Sequence, residues 1–148
     1  MSVSSNELTD LDVTNNLRLT YLGCDQNQLS ELNVTNNTSL SILNCSSNDL
    51  KELNVSNLEL LSVLKCILIH CGNNYLQTLN VNNNTKLFFL DCSNNSMDCL
   101  AVNANINLIS LLCRNNNIIS LDVSNNKELI ELKCDESVKK IGWSANRH

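Results

Sequence analysis

The amino-acid sequence predicts an all-β-rich repeat solenoid of about six to seven coils, each 21 residues long, with parallel sheets and little or no α-helix. Three observations lead to this fold class. A Leu-x-Cys pattern recurs at a fixed interval, a Leu-x-Val pattern recurs between its copies, and an asparagine follows each pattern by three residues. A fixed period of this length is typical of a solenoid, in which each repeat contacts only its neighbours.

The first half of each coil is marked by a cysteine two residues after a leucine. These cysteines are separated by 21, 21, 26, 21 and 21 residues, so one interval contains an insertion of five residues. The six positions are Cys24, Cys45, Cys66, Cys92, Cys113 and Cys134. We place the insertion at residues 67–71, although either Cys66 or Cys71 fits the repeat position.

The second half of each coil repeats the pattern with valine in place of cysteine. Its positions are Val13, Val34, Val55, Val81, Val102 and Val123. The asparagines that follow the two halves are Asn16, Asn27, Asn37, Asn48, Asn74, Asn84, Asn95, Asn105, Asn116 and Asn126. Leu58 interrupts the series. The consensus is therefore L-x-x-L-x-C-x-x-N-x-L-x-x-L-x-V-x-x-N-x-x.

This consensus resembles the leucine-rich repeat, whose hallmark is L-x-x-L-x-L-x-x-N. It is most similar to a short bacterial class of 21 residues, in which the hallmark occurs twice per repeat. The resemblance covers nearly the whole chain and implies a leucine-rich-repeat superhelix, with the strand face as the usual ligand surface. We divide this single domain, residues 1–148, into a partial first coil (1–18), repeats (19–134) and a C-terminal cap (135–148).

The spacing of the motif has a direct physical explanation. Side chains alternate along a strand, so the leucine and the cysteine or valine of each tripeptide point inward and the residue between them points outward. The free thiol then acts as a small apolar side chain. The asparagine lies where the chain turns, and its amide can donate to and accept from backbone groups that would otherwise be buried unpaired. The sequence therefore predicts ladders of stacked asparagines.

Composition and motifs disfavour several classes of function. The net charge of −5 argues against a nucleic-acid partner, and no apolar run approaches the roughly 18 residues of a membrane helix. No Cys-x-x-Cys pair, Gly-rich loop or Ser/His/Asp arrangement is present. Cys66, His70 and Cys71 are close in sequence, but no third group is evident that would orient a Cys–His pair. We expect no catalysis, no cofactor and no metal.

A candidate partner-binding face comes from the residues that point outward in the cysteine half. Four large apolar residues precede successive core leucines there, and charged residues stand beside them. The candidate residues are Tyr21, Ile42, Val63 and Phe89, with Lys65, Asp91, Arg114 and Lys133. Contiguous apolar patches often mark contact surfaces, although these side chains also fit a simple filling role between coils. We interpret the chain as a non-catalytic scaffold for another protein; the alternative is a segment of a bacterial cell-surface or secreted adhesin or structural array.

The ends of the stack and the compartment leave alternatives open. Val138, Ile141 and Trp143 are expected to fold over the last coil as a lid. The first coil is expected to expose a strand edge, which is compatible with a monomer or a weak edge-to-edge dimer. The N-terminal residues carry no signal-peptide pattern, which fits either a cytoplasmic protein or a cell-surface or secreted one whose leader was removed.

A first prediction concerns the least regular part of the array. Leu58 and the insertion lie close together, so we expect poorly paired backbone groups and a locally less stable stack. Amide hydrogen exchange should be faster there than in the other interior coils. Uniform protection from coil to coil would contradict this expectation.

Overall fold

The computed structural model describes residues 1–58 and 67–144, which form a series of short strands and turns repeated along one axis. The strands are β1 (Tyr21–Gly23), β2 (Ile42–Asn44), β3 (Ile67–His70), β4 (Leu87–Asp91), β5 (Ser110–Leu112), β6 (Ser120–Asp122), β7 (Glu131–Lys133) and β8 (Lys139–Ile141). No helix occurs within these two described ranges.

Six of the strands form one parallel sheet in the order β1-β2-β3-β4-β5-β7, and β6 pairs with β8 in a second parallel sheet. The large sheet comes from the cysteine halves of the coils and the small one from a valine half. The predicted all-β repeat solenoid is therefore confirmed. About five turns connect the six strands, slightly fewer than the six to seven coils predicted.

The core is one continuous column of leucines between the two sides of each coil. Leu22 pairs with Leu43, Leu90 pairs with Leu111, and all four are at most 1% exposed. The valines of the opposite half are equally buried. Each coil thus covers the apolar side chains of the next, which is why the fold exists only as a stack.

The position of the insertion differs from the one we predicted. Ile69, not Leu64, pairs with Leu43 and Leu90, and Cys71 is buried in the cysteine position of that coil. Residues 67–71 are therefore regular repeat positions, and their placement as an insertion is wrong. The extra residues precede them. Leu68 follows Leu58 by 10 residues, whereas Ile42, which pairs with Leu68, follows the equivalent Asn37 by only five. The alternative Cys66, together with Leu64, lies outside the described residues.

The insertion is followed by an irregularity in strand pairing. Ile67 pairs with Leu87, but Leu68 pairs with Phe89, so Phe88 has no partner in β3. Such a bulge locally bends the strand and turns its side chains. The register recovers within the same pair of strands, since Ile69 and His70 pair regularly with Leu90 and Asp91.

The asparagines of the cysteine half form a fully bonded ladder. Asn48 Nδ2 donates to the carbonyl of Cys45 in its own coil (3.1 Å) and to that of Cys24 in the preceding coil (3.0 Å). Its Oδ1 accepts from the backbone N–H of Leu29 (3.0 Å). Asn27, Asn74, Asn95 and Asn116 repeat this arrangement, so one amide joins each pair of coils.

The asparagines of the valine half are not needed to pair backbone groups. Asn105 Nδ2 donates to the carbonyls of Val81 and Asn84 in the preceding coil, both at 2.9 Å. Each of these carbonyls already accepts a backbone N–H, from Asn84 (2.9 Å) and Leu87 (2.8 Å) respectively. The Oδ1 of Asn105 is buried with no donor among the described residues. This ladder therefore supplements turns that are already closed.

This difference explains how Leu58 is tolerated. The Val34 carbonyl that an asparagine at position 58 would reach still accepts from Asn37 N–H (3.0 Å), and Leu58 N–H donates to Val55 (3.0 Å). The leucine side chain is 1% exposed and adds apolar contact. The expectation of poorly paired backbone groups at Leu58 is wrong; the five extra residues are the remaining reason for local instability.

The last half-coil is held by a strand, by one side-chain hydrogen bond and by one glycine with a left-handed backbone conformation. Val138 is buried and Trp143 packs half-buried against the core, as expected of a lid, but Ile141 lies in β8 and is 43% exposed. The carboxylate of Asp135 accepts the N–H of Asn115 (2.9 Å), where a carbonyl does so in earlier coils. Gly142 has φ 73°, and a Cβ there would clash with the backbone of Ser124.

The two ladders generate a second prediction. Asn48→Ala leaves the buried N–H of Leu29 without its acceptor, whereas Asn105→Ala leaves every carbonyl with a backbone donor. An orphaned buried donor costs about 1–3 kcal/mol. We expect Asn48→Ala to lower the free energy of unfolding by about 2–3 kcal/mol and Asn105→Ala by about 1 kcal/mol or less, as measured by urea denaturation. Equal losses would contradict the distinction.

Candidate binding face

The outer face of the large sheet carries one apolar column. Strand register aligns Tyr21, Ile42, Leu68 and Phe89, each directly before a core residue. Tyr21 is 39% exposed and the other three are half-buried. We call these four residues the face stripe. They lie on adjacent strands, so their backbones are about 4.8 Å apart.

Neighbouring residues hold the face stripe in place. A Cβ at Gly23 would lie 2.5 Å from the Tyr21 hydroxyl, so the missing side chain leaves room for the tyrosine ring in its present position. At the other end, the rings of His70 and Phe89 are in contact, with centroids 4.6 Å apart and an interplanar angle of 34°. The stripe is therefore a fixed surface whose aromatic ends are supported from the side.

Two carboxylates lie beside the face stripe where the strands end. Asp25 Oδ1 accepts from Ser4 Oγ (2.6 Å) and from Asn44 Nδ2 (2.9 Å), and Asp91 Oδ1 accepts from its neighbour Ser93 N–H (3.0 Å). Between them, burial lowers the pKa of His70, although Asp91 and Asp25 oppose the shift. The histidine is therefore neutral at pH 7, and the rim of the stripe is negative.

Beyond β4, the column of the face stripe contains polar residues. Ser110 and Glu131 occupy the column of the face stripe on the last two strands, and Ser110 Oγ donates to Glu131 Oε2 (2.6 Å). Lys133 Nζ lies 2.7 Å from Glu131 Oε1. These bonds, from Lys133 and then Ser110, lower the pKa of the Glu131 carboxyl. The apolar part of this column thus ends at Phe89.

The structure brings most, but not all, of the predicted face residues together. Tyr21, Ile42, Phe89, Asp91 and Lys133 lie on the sheet face. Val63 and Lys65 are outside the described residues, and Leu68 and His70 occupy the positions assigned to them. Arg114 is exposed, but it follows Cys113 in the turn after β5; Leu112 holds the strand position beside Asp91. Grouping Arg114 with Asp91 and Lys133 is therefore wrong.

Sequence reasoning missed a second apolar column, at the position where each strand begins. Phe88 is 38% exposed, Ile130 is 69% exposed and Ile109 is half-buried. Ile109 N–H donates to the Phe88 carbonyl and Ile130 N–H to the Ile109 carbonyl, both at 2.9 Å, so the three residues are stacked. We call them the edge column. Their regular 21-residue spacing was a visible signal.

The ladder cysteines are buried free thiols in an environment that disfavours reaction. Cys24, Cys45, Cys71, Cys92, Cys113 and Cys134 are free and buried, whereas Cys99 is free and exposed. Burial, and then the charge of Asp25 beside Cys24, raises the pKa of Cys24 to about 12; burial also raises the pKa of Cys113 to about 12. Burial raises the pKa values of Cys45, Cys71 and Cys92 well above the usual range. Within residues 1–58 and 67–144, no three potential ligands come together as a metal site.

Comparison with solved structures places this geometry in a family. The functional domain of InlJ from Listeria monocytogenes, which includes a cysteine ladder, is 28% identical over 99% of this chain, with a TM-score of 0.77. A leucine-rich-repeat protein of Leptospira interrogans is 24% identical over 95% of this chain, with a TM-score of 0.84. The chain has the leucine-rich-repeat fold. YopM from Yersinia enterocolitica shares the fold at 23% identity and a TM-score of 0.59, over 95% of this chain.

Other comparisons place limits on this assignment. This leucine-rich-repeat chain covers 35% of the InlJ structure, 37% of the Leptospira structure and 36% of the YopM structure, so it spans roughly a third of each. No family model matches it, and no curated protein matches it. No helix in the part of the chain that the structure describes has the length and apolar character needed to cross a membrane.

A third prediction follows from the thiols of this leucine-rich repeat. The thiolate is the reactive form, so buried cysteines with raised pKa values should not react with a bulky disulfide reagent at pH 8. Among the seven described cysteines, only Cys99 should be modified quickly in the native protein, as read by peptide mass mapping. Denaturation should release the others. The Cys99→Ser variant is the control, and rapid native modification of Cys45, Cys71 or Cys92 would contradict the ladder.

Proposed function

We propose that this leucine-rich-repeat protein is a non-catalytic scaffold that binds another protein through its sheet face, centred on the face stripe. The observation that carries this proposal is the run of four apolar side chains on adjacent strands, with Tyr21 39% exposed although it is aromatic. Rigid apolar surfaces with a polar rim are typical of protein-binding patches, and aromatic residues are enriched in them.

The support around the face stripe favours binding over a simple filling role. Gly23 gives up a side chain so that the Tyr21 ring can lie over the sheet, and His70 packs against Phe89. A surface that is already ordered loses little conformational entropy when a partner binds. Ile42, Leu68 and Phe89 are only half-buried, so part of each side chain remains available to a partner.

The electrostatics favour a protein with a basic contact surface. Asp25 and Asp91 lie at the rim, and the whole chain has a formal net charge of −5. Such a surface repels the phosphate backbone of nucleic acids. The described ladder thiols are buried, and burial raises the pKa values of Cys45, Cys71 and Cys92, which supports a binding role more than a nucleophilic one.

A second candidate is a segment of a bacterial cell-surface or secreted adhesin. It is favoured by the bacterial origin of the similar solved structures and by the chain covering only 35% of the InlJ structure, as a segment of a longer protein would. The sequence of the complete gene product tests it directly. A leader together with a wall-sorting or membrane-anchoring tail would support this role, and a product without either would contradict it.

The fourth prediction tests the sheet face itself. Tyr21→Glu/Ile42→Glu places two charges in the face stripe, whereas Ile119→Glu changes an apolar residue that is 80% exposed outside it. Each protein is immobilised and the proteins recovered from the source cell are quantified. A specific partner should be retained by wild type and by Ile119→Glu, and reduced about tenfold or more by the double variant.

Thermal unfolding and circular dichroism of the same variants separate lost binding from lost folding. The proposal is wrong if every protein retained by wild type is retained equally by the correctly folded double variant.

A further inference from the structure

The face stripe and the edge column join into one oblique apolar band. The face stripe runs over β1 to β4 and ends at Phe89. The edge column begins at the adjacent Phe88 and continues through Ile109 and Ile130, which directly precede β5 and β7. The change of column coincides with the bulge at which Phe88 has no partner in β3. The band therefore extends over the six coils that contribute strands to the large sheet, from Tyr21 to Ile130.

We propose that this oblique band binds an amphipathic α-helix of the partner protein, with basic residues of that helix beside Asp25 and Asp91. This inference rests on the proposed function and adds the secondary structure and charge of the partner segment. It requires both ends of the band, including Ile130, which lies outside the face stripe.

The spacing of the band matches a helix better than an extended strand. Neighbouring coils are about 4.8 Å apart, so the five steps from β1 to β7 span about 24 Å. Apolar residues on one side of a helix recur about every 5.4 Å, or about 27 Å over five steps. Alternate residues of a strand recur about every 6.7 Å, or about 33 Å. The side chains of a helix thus remain opposite the band, whereas those of a strand drift by more than one coil.

The acidic residues beside the band favour basic residues along one edge of that helix. Asp25, Asp91 and Asp135 lie along the side of the sheet where strands end. Two cations lie at the same side, Arg114 in the turn after β5 and Lys133 in β7, but both belong to the last coils, and the Lys133 ammonium is paired with Glu131. The Asp25 and Asp91 carboxylates are each held by hydrogen bonds, so a cation meets them in fixed positions. A helix with lysine or arginine along one edge of its apolar ridge is complementary to this arrangement.

The probe is a synthetic 18-residue peptide with leucines at i, i+3, i+4 and i+7 spacing and lysines along one flank, which is about 27 Å long as a helix. One control peptide has the same composition with leucine at alternate positions, and a second has glutamate in place of lysine. Binding of fluorescently labelled peptides to the full chain is measured by anisotropy. Tyr21→Glu and Ile130→Glu change the two ends of the band, and Ile119→Glu is the matched control outside it.

The expected result is saturable binding of the helical basic peptide only. Tyr21→Glu and Ile130→Glu should each weaken it about tenfold, since each removes one buried apolar contact, and Ile119→Glu should leave it unchanged. Asp91→Asn should weaken binding at low salt and have less effect at high salt.

Three results would contradict the proposal that the band binds a basic amphipathic helix. The first is equal or tighter binding of the alternating peptide, or sensitivity to Tyr21→Glu without sensitivity to Ile130→Glu; the proposed sheet-face function then survives with an extended partner. The second is equal binding of the glutamate peptide, which removes the charge selection. The third is a concentration-dependent dimer in sedimentation that Ile130→Glu abolishes, since the band is then an interface between two copies of the chain.

Discussion

The fold depends on the asparagine amide that closes each cysteine-half turn. The turn brings backbone groups into the core, where unpaired polar atoms are costly. Asn48 pairs two carbonyls and one N–H, and these belong to two successive coils. The same side chain therefore closes its own turn and fixes the distance to the neighbouring coil. The core leucines, the strand register and the apolar face all require that distance, so the amide ladder sets the geometry on which the outer surface is built.

The opposite half of the coil works under a weaker constraint. Its turns are closed by backbone hydrogen bonds, and the Asn105 amide adds second bonds to carbonyls that already have one. A side chain there contributes mainly by filling space, which is why Leu58 fits with 1% exposure. The consensus writes both asparagines with the same letter, so the repeat pattern alone cannot distinguish a side chain that closes a turn from one that supplements it. Hydrogen-bond partners in three dimensions are needed for that distinction.

The sequence predicts the coil, its parallel sheet and its core almost residue by residue, because a strict period fixes which side chains point inward. It fails where the period fails. Cys66 follows a leucine by two residues, but only Cys71 is followed three residues later by an asparagine, Asn74. The pairing of Ile69 with Leu43 confirms that Cys71 holds the repeat position. The same register error affects the candidate face, because Leu68 and His70 occupy the positions that the sequence analysis assigned to Val63 and Lys65. The edge column was missed for another reason: the strand start is a corner of the coil, and alternation along a strand does not say whether a corner residue such as Ile130 is exposed.

The contrast between the two ladders also bears on how such arrays diversify. A mutation in a cysteine-half turn orphans a buried donor, so purifying selection on that half is expected to be severe. A valine-half turn retains its backbone hydrogen bonds. In this chain, both Leu58, which stands where the other coils have asparagine, and the five extra residues follow such a turn. The valine half is thus the permissive side on which descendants of a duplicated repeat can gain loops while their sheets remain superimposable. A lineage of such proteins would accumulate length variation on one side of the solenoid and substitutions of outward residues on the other.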